Sequence, residues 1–180
     1  NENVTFFYNV SDESNVDNCS LIISNKINIT AMSITKNARV NFTLNNTAIG
    51  RYNWSINCTD NLGFAGNSSE RTFSVILMAN FNGSVTNIST IDVRNVTNFV
   101  VEVATYGKIN FSENIINLSQ GFDLNNYINI SSNRIELNST ALSILNKSAT
   151  LYLYGLTFSN PRVLMDGAVC PSDICTELPY

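Results

Sequence analysis

The residues of this chain whose types and spacing suggest chemistry are asparagines followed two positions later by serine or threonine. Such triplets, called sequons here, accept N-linked sugars in secreted proteins. With 30 Asn and 35 Ser plus Thr among 180 residues, chance placement would give roughly six sequons. The chain has 17, an excess that indicates a function. They begin at Asn3, Asn9, Asn18, Asn28, Asn41, Asn45, Asn53, Asn57, Asn67, Asn82, Asn87, Asn95, Asn110, Asn117, Asn129, Asn138 and Asn146.

The sequons alternate with apolar residues in segments that resemble β-strands. Successive side chains of an extended strand point to opposite faces of the sheet. In the segment 51–60, Asn53 and Asn57 therefore share one face, while Trp54 and Cys58 share the other. The apolar face is typical of a protein core. We expect the asparagine face to be exposed to solvent, where a bulky sugar is tolerated.

The four cysteines predict two disulfides. Cys19 and Cys58 lie in separate apolar strand patterns, and Cys170 and Cys175 flank the sequence Pro-Ser-Asp-Ile. A bridge across the 39 positions from Cys19 to Cys58 would restrict the unfolded chain by roughly 4 kcal/mol, and the shorter loop by roughly half of that. Disulfides persist in oxidising compartments. Together with the sequons, they favour an extracellular, cell-surface glycoprotein.

Sequence patterns of catalysis and metal binding are missing. Histidine is absent and no P-loop, dinucleotide-binding or metalloprotease motif occurs, so we predict no catalytic residue and no enzyme activity. A single Cys-x4-Cys pair cannot supply a zinc site, and no metal or cofactor is predicted apart from covalent N-linked glycans. Asp60 beside Asn61 could bind calcium, but an Asx-turn explains these two residues as well. The carboxylates of Asp12, Glu13 and Asp17 cluster in a segment typical of a solvated loop.

Composition excludes further classes of protein. Charged residues make up 13% of the chain, the net charge is -4, and no basic cluster occurs, which argues against nucleic acid as a partner. The longest apolar run, residues 75–79, is too short to span a bilayer. Because few carboxylates have to be protonated as the pH falls, we expect tolerance of acid. The chain starts at Asn1 without Met or a signal peptide, which suggests a mature or processed form.

Strand patterns dominate and predict an all-β fold with two β-sandwich domains, residues 1–77 and 78–180. The first domain shows about seven short strands with turn signals every 8 to 12 residues, the pattern of an immunoglobulin-like sandwich. Six of these strand segments have clear bounds: 4–10, 18–23, 27–30, 39–45, 52–59 and 71–79.

Residues 52–54 read Tyr-x-Trp, residues 58–60 read Cys-Thr-Asp, and residues 61–63 read Asn-x-Gly. With these motifs the segment 50–63 resembles immunoglobulin-like β-sandwich modules of prokaryotic, and especially archaeal, cell-surface proteins. Antibody domains differ, because Trp54 lies on the same strand as Cys58. The resemblance covers residues 1–77 and implies a fold rather than an activity. The residues that carry it are Gly50, Tyr52, Trp54, Cys58, Thr59, Asp60, Asn61 and Gly63.

The second domain is predicted to be β-rich with one short helix at 139–145, capped by Ser139 or Thr140. Asp166-Gly167 is typical of a hairpin turn. The segment 127–137 could alternatively be a coil of a β-solenoid. The motif from Asn138 to Leu153, with the Asn-Pro-Arg-Val-Leu and Cys-Pro-Ser-x-Ile-Cys sequences after it, resembles a module that follows immunoglobulin-like repeats in archaeal surface proteins. The strand segments are 98–105, 108–111, 127–131, 134–137, 150–155, 163–165 and 168–170.

These features predict a heavily N-glycosylated structural subunit of a cell-surface filament or surface-layer assembly. The apolar N-terminal segment 4–10 is a candidate donor strand, which could insert into the sheet of the next subunit and build a homopolymer. Ordinary pairing of this strand within its own chain is the alternative. A second hypothesis is an adhesin or carbohydrate-binding module of a larger protein that contacts other cell surfaces. The donor side chains would be Val4, Phe6, Tyr8 and Val10.

Overall fold

The computed structural model describes residues 2–112, 114–158, 160–176 and 178, without the side chain of Glu2. The regular structure of these residues is almost entirely β, which confirms the predicted all-β fold. No helix in this described part is long and apolar enough to cross a membrane. Short 3-10 helices span Ile88–Thr90, Leu124–Asn126 and Ser143–Leu145. The strands are β1 (Glu2–Tyr8), β2 (Val16–Ile23), β3 (Lys26–Met32), β4 (Val40–Thr47), β5 (Gly50–Asp60), β6 (Ala65–Asn67), β7 (Arg71–Val75), β8 (Phe99–Val103), β9 (Gly107–Phe111), β10 (Ile128–Ser131), β11 (Arg134–Leu137), β12 (Thr150–Leu153), β13 (Leu164–Met165) and β14 (Ala168–Val169).

Strands β1 to β7 form two antiparallel sheets around one core, which we call the first sandwich. In the large sheet, β2 and β5 pair at the centre, β3 lies beside β2, and β6 and β7 pair with the two ends of β5. Strands β1 and β4 form the small sheet. Buried side chains from both sheets meet between them, because each strand points alternate residues inward. They are Phe6, Val16, Cys19, Leu21, Phe42 and Ile56.

The second half of the chain builds a separate core. Its main sheet has the order β12-β9-β8, and β10 and β11 form a hairpin. The fully buried rings of Phe99 and Phe111 stack at its centre with 6.0 Å between their centroids. Phe73 packs against the first core, whereas Ile76 and Met78 pack against the second. The predicted strand 71–79 consequently ends at Val75, where the chain leaves one core for the other.

The two halves meet just after the chain leaves the first core, where Leu77 bonds to the backbone of the second half. The Leu77 N–H donates to the Phe122 carbonyl at 2.8 Å, and the Leu124 N–H donates to the Leu77 carbonyl at 2.9 Å. Next to this bridge Gly121 lies against Gly50 so closely that a Cβ on Gly121 would be 2.5 Å from the Gly50 carbonyl carbon. The junction therefore requires a residue without a side chain at position 121.

The helix predicted at 139–145 does not form. Neither Ser139 nor Thr140 caps a helix there; instead the side-chain Oδ1 of Asn138 accepts from the backbone N–H three residues later at 3.0 Å and closes a turn. The 3-10 helix Ser143–Leu145 follows. Two leucines spaced three apart, at 142 and 145, are buried in the second core. A single 3-10 turn, with three residues per turn, places both on one side, so a longer helix is not needed.

Two hairpins in the second half test the predicted β-solenoid coil and the predicted turn at Asp166-Gly167. The segment 127–137 is not a coil of a β-solenoid, because β10 and β11 are antiparallel and reverse at Asn133 with φ +59°. The predicted hairpin at Asp166-Gly167 is confirmed. Asp166 has φ +52° and Gly167 has φ +84°, and β13 and β14 pair on either side. Two successive positive φ angles are typical of the tight turns that match strand twist.

Candidate functional site

The sequon asparagines all lie at the surface of the structure. None of the 17 is buried, 14 are exposed, and the other three, Asn18, Asn57 and Asn110, are half-buried. The 12 described asparagines outside sequons behave similarly, with nine exposed and three half-buried. Exposure is what the polarity of asparagine requires, so exposure alone does not identify the sugar acceptors. Their positions on the sheets are more informative.

In the first sandwich the sequons lie on both outer faces. Except for Asn67 on the exposed strand β6, their asparagines alternate with side chains that pack in the core, as the sequence predicted for the segment 51–60. Sugars at these positions would cover the two broad faces and leave the edges and ends of the sandwich. The small sheet carries Asn3, Asn41 and Asn45 outside, with Asn9 directly after the end of β1, and the large sheet carries Asn18, Asn28, Asn53, Asn57 and Asn67.

In the second half several sequons hold turns. The Asn87 Oδ1 accepts from the Ser89 N–H at 3.1 Å, and the Asn117 Oδ1 accepts from the Ser119 N–H at 3.0 Å. Each bond joins the asparagine and the serine of one sequon in an Asx-turn. The oxygen of the amide makes the turn, so the nitrogen that would carry a sugar is not used by it.

Both predicted disulfides are present. Cys19 and Cys58 are bonded across β2 and β5, and Cys170 and Cys175 close a short loop. Cys19 and Cys58 are also the central residues of two sequons, Asn18-Cys19-Ser20 and Asn57-Cys58-Thr59. The two Asn-Cys-Ser/Thr triplets are visible in the sequence, but their alignment opposite one another was missed, because it depends on the register of two distant strands.

The candidate donor strand is paired within its own chain. Val4, Phe6, Tyr8 and Val10 all contact the first core, and β1 pairs with β4. Phe6 is 4% exposed, and its ring centroid lies 4.8 Å from that of Trp54. Within the described residues, the other edge of β1 has no strand beside it.

A groove of about 370 Å³ runs between β3 and the free edge of β4. Its walls mix apolar and polar side chains of both sheets, and the polar ones are Thr43, Thr47 and two sequon asparagines, Asn28 and Asn45. Sugar at either asparagine would stand in this groove. The apolar wall is formed by Ile23, Ile29, Leu44 and Tyr52.

Asp60 is a turn residue. Its Oδ1 accepts from the Leu62 N–H at 2.9 Å and from the Phe64 N–H at 2.7 Å, and its side chain is buried. This arrangement is the Asx-turn that the sequence offered as the alternative to calcium binding. In the described ranges, no group of three or more His, Cys, Asp or Glu side chains is close enough to hold a metal ion. The turn also holds Leu62 and Phe64 in solvent, 67% and 73% exposed.

The carboxyl groups of exposed Asp92 and half-buried Glu102 have pKa values below their usual range. Hydrogen bonds from the Arg94 guanidinium lower the pKa of Asp92 to about 2. The Tyr154 hydroxyl, at 2.7 Å, and the backbone N–H of Ser84 lower the pKa of Glu102. The same bond raises the pKa of Tyr154 to about 12.

We expect the fold to resist acid down to about pH 4. A carboxyl group with a lowered pKa stabilises the fold above its unfolded pKa, and that contribution disappears as the pH falls through the folded pKa. The stabilising contribution of Asp92 is therefore lost only as the pH falls to its folded pKa of about 2. This contribution is small because the carboxyl group is exposed to solvent. Thermal unfolding followed by circular dichroism at pH 7, 4 and 2 measures it. Tyr154→Phe, which removes the donor to Glu102, should reduce the loss below pH 4; a steep loss of folded signal between about pH 6 and 5 would contradict this expectation.

Comparisons with known proteins find no family model, curated protein or solved structure that matches the chain. Function has to be inferred from the chain's own residues. Its informative features are the sequons on both faces of the first sandwich, the strand β1 with one unpaired edge among the described residues, and the disulfide between two sequons.

Proposed function

We propose that the protein is an extracellular, heavily N-glycosylated structural subunit of a cell-surface filament or surface layer. The observation that carries this proposal is the placement of nine sequons on the two outer faces of the first sandwich, which would make it a sugar-coated building block. The two disulfides are compatible with an oxidising compartment. In this proposal residues 1–77 are an immunoglobulin-like module of an archaeal surface glycoprotein, residues 78–180 are a second domain, and neither is an enzyme.

The proposed subunits polymerise by exchange of β1. Among the described strands β1 pairs only with β4, and the mostly exposed residues 9–15 link it to β2. A β1 from a neighbouring copy could fill the same slot and make the same contacts, including those of Phe6. Because the contact is head-to-tail, it does not close and would propagate as a fibre.

A cross-strand disulfide tests the exchange directly. Thr5 lies opposite Thr43 in the ladder of β1 and β4, with 3.2 Å between the two Oγ1 atoms. The native cysteines are all paired, so a Thr5→Cys/Thr43→Cys variant adds one new partner for each new thiol. In assembled material we expect a ladder of covalent multimers on non-reducing gels, because the new thiol at position 5 of one chain would meet the new thiol at position 43 of the next.

The control is Thr5→Cys alone, which should give no ladder because its partner thiol is missing. Assemblies in which the double variant runs only as a cross-linked monomer would show that β1 stays in its own chain. Strand exchange would then be wrong, although glycosylation could still be correct.

An adhesin or carbohydrate-binding module is the second candidate, and one observation favours it. The last sequon begins at Asn146, and the described residues after it expose Leu164, Val169 and Ile174 by 58%, 59% and 60%. A sugar-free apolar surface is typical of a protein-binding site. Saturable binding of the purified chain to cells or a glycan array would support an adhesin, whereas a structural subunit should show little.

A further inference from the structure

The two sequons that contain a cysteine are aligned residue by residue. In the antiparallel ladder of β2 and β5, Cys19 lies opposite Cys58, Asn18 opposite Thr59 and Ser20 opposite Asn57. Each asparagine thus faces the hydroxyl residue of the other sequon. The disulfide between Cys19 and Cys58 joins the centres of both triplets.

Both triplets lie on strands that are paired along two edges. β2 lies between β3 and β5, and the residues of the second triplet pair with β2 on one side and with β6 on the other. An enzyme that glycosylates a sequon has to bind the acceptor as a separate segment of chain. The two strands would therefore have to leave the sheet, which requires local unfolding of the centre of the first sandwich.

The side chains of these sequons are also engaged. The Nδ2 of Asn57, which would carry the sugar, donates to the Asn67 Oδ1 at 2.7 Å. Ser20 is buried, and its hydroxyl is 2.8 Å from the Thr30 hydroxyl in a hydrogen bond. Asn18 and Asn57 are two of the three half-buried sequon asparagines. In the folded, oxidised sheet, the Asn57 amide nitrogen and the Ser20 hydroxyl of the two sequons are therefore already hydrogen-bonded.

We propose that the Cys19–Cys58 disulfide controls glycosylation of Asn18 and Asn57. The two asparagines accept sugar only while the cysteines are reduced and β2 is not yet joined to β5. Once the disulfide forms, both sites are closed and stay unmodified. This inference rests on the proposed N-glycosylation of the chain. It concerns the order in which glycosylation and disulfide formation occur on β2 and β5.

The two reactions are chemically independent. In glycosylation the asparagine Nδ2 forms a bond to C1 of an oligosaccharide carried on a polyprenyl phosphate or pyrophosphate, the bond from C1 to the phosphate oxygen breaks, and Nδ2 loses a proton. In disulfide formation the two thiols lose two protons and two electrons to the disulfide of an exchanging oxidant, which becomes a dithiol. Neither reaction consumes an atom that the other needs. The two reactions are coupled only because glycosylation needs access to the separated strands and the disulfide, once formed, prevents that access.

Site-by-site glycopeptide mass spectrometry of the full chain, made in a cell that N-glycosylates it, tests the inference. In the native chain we expect low occupancy at Asn18 and Asn57 and high occupancy at exposed sites such as Asn41. Cys19→Ala/Cys58→Ala keeps both triplets as sequons and should raise occupancy at both asparagines by roughly tenfold, because without the covalent link β2 can separate from β5. Asn110, half-buried on β9 of the second core, should not change.

A second variant separates the disulfide from general instability. Phe6→Ala weakens the first sandwich but keeps the cysteines, so Asn18 and Asn57 should stay poorly occupied in it. An equal rise in this variant, or high occupancy of both sites in the native oxidised chain, would overturn the inference and leave glycosylation itself standing. Absence of sugar from every sequon of the native chain would instead overturn the proposed function, and the inference with it.

Discussion

Phe6→Ala is expected to lower the free energy of unfolding of the first sandwich by about 3–5 kcal/mol. Phe6 is 4% exposed, and its ring lies 4.8 Å from Trp54 and 5.2 Å from Phe73, measured between centroids. The substitution removes these aromatic contacts between the two sheets and leaves a cavity that the surrounding strands can fill only in part. Trp54 is the one tryptophan of the chain, so its fluorescence during urea unfolding reports directly on this site.

Phe7→Ala is the matched control, because the neighbouring residue has the same side chain on the opposite face of β1. Phe7 is 48% exposed, and the Arg39 guanidinium lies 3.9 Å from its ring centroid. Loss of this contact should cost less than about 1 kcal/mol. Equal destabilisation by the two substitutions would mean that the small sheet does not pack through Phe6.

Gly121→Ala is expected to destabilise the junction between the two halves by at least about 3 kcal/mol. Gly121 has φ +75°, and a Cβ there would lie 2.5 Å from the backbone of Gly50. Rotation of a side chain cannot relieve a contact between Cβ and backbone, so one half has to shift. Amide hydrogen exchange should then accelerate at Leu77 and Leu124, whose N–H groups make backbone bonds beside the Gly121–Gly50 contact.

Gly155→Ala separates backbone conformation from the clash. Gly155 has φ +58°, and a Cβ there would meet no atom within 4 Å, so the substitution should cost only about 1–2 kcal/mol. Exchange at Leu77 should remain as in the native chain. If the two alanine variants were equally stable, the contact between Gly121 and Gly50 would not constrain the junction.

Local patterns predicted the elements of the fold well. The alternation in the segment 51–60 places Trp54 inside and Asn53 outside, and β5 has both properties. The Asx-turn at Asp60 and the hairpin at Asp166-Gly167 also depend on neighbouring residues, and both form. Such features follow from side-chain periodicity and from the φ angles that short polar residues and glycine adopt.

Predictions failed where distant residues compete with local preference. The segment 139–145 has the composition of a helix, but the second core buries its two leucines through one 3-10 turn. Strand β7 stops at Val75, because Ile76 already packs against the other core. Neither outcome follows from a window of ten residues, since each depends on which core receives a side chain.

The sequence by itself determined which chemistry is available: 17 sequons, four cysteines and no histidine, with sugar acceptors on strand faces opposite the apolar residues. Tertiary structure alone decided how these groups meet. The register of β2 and β5, shifted by an irregularity between Val16 and Asn18, aligns the two cysteine-containing sequons. The alternation of apolar and polar residues predicts which face of a sheet each side chain occupies. Which side chains become neighbours on that face depends on strand pairing and register, and both are determined by long-range packing.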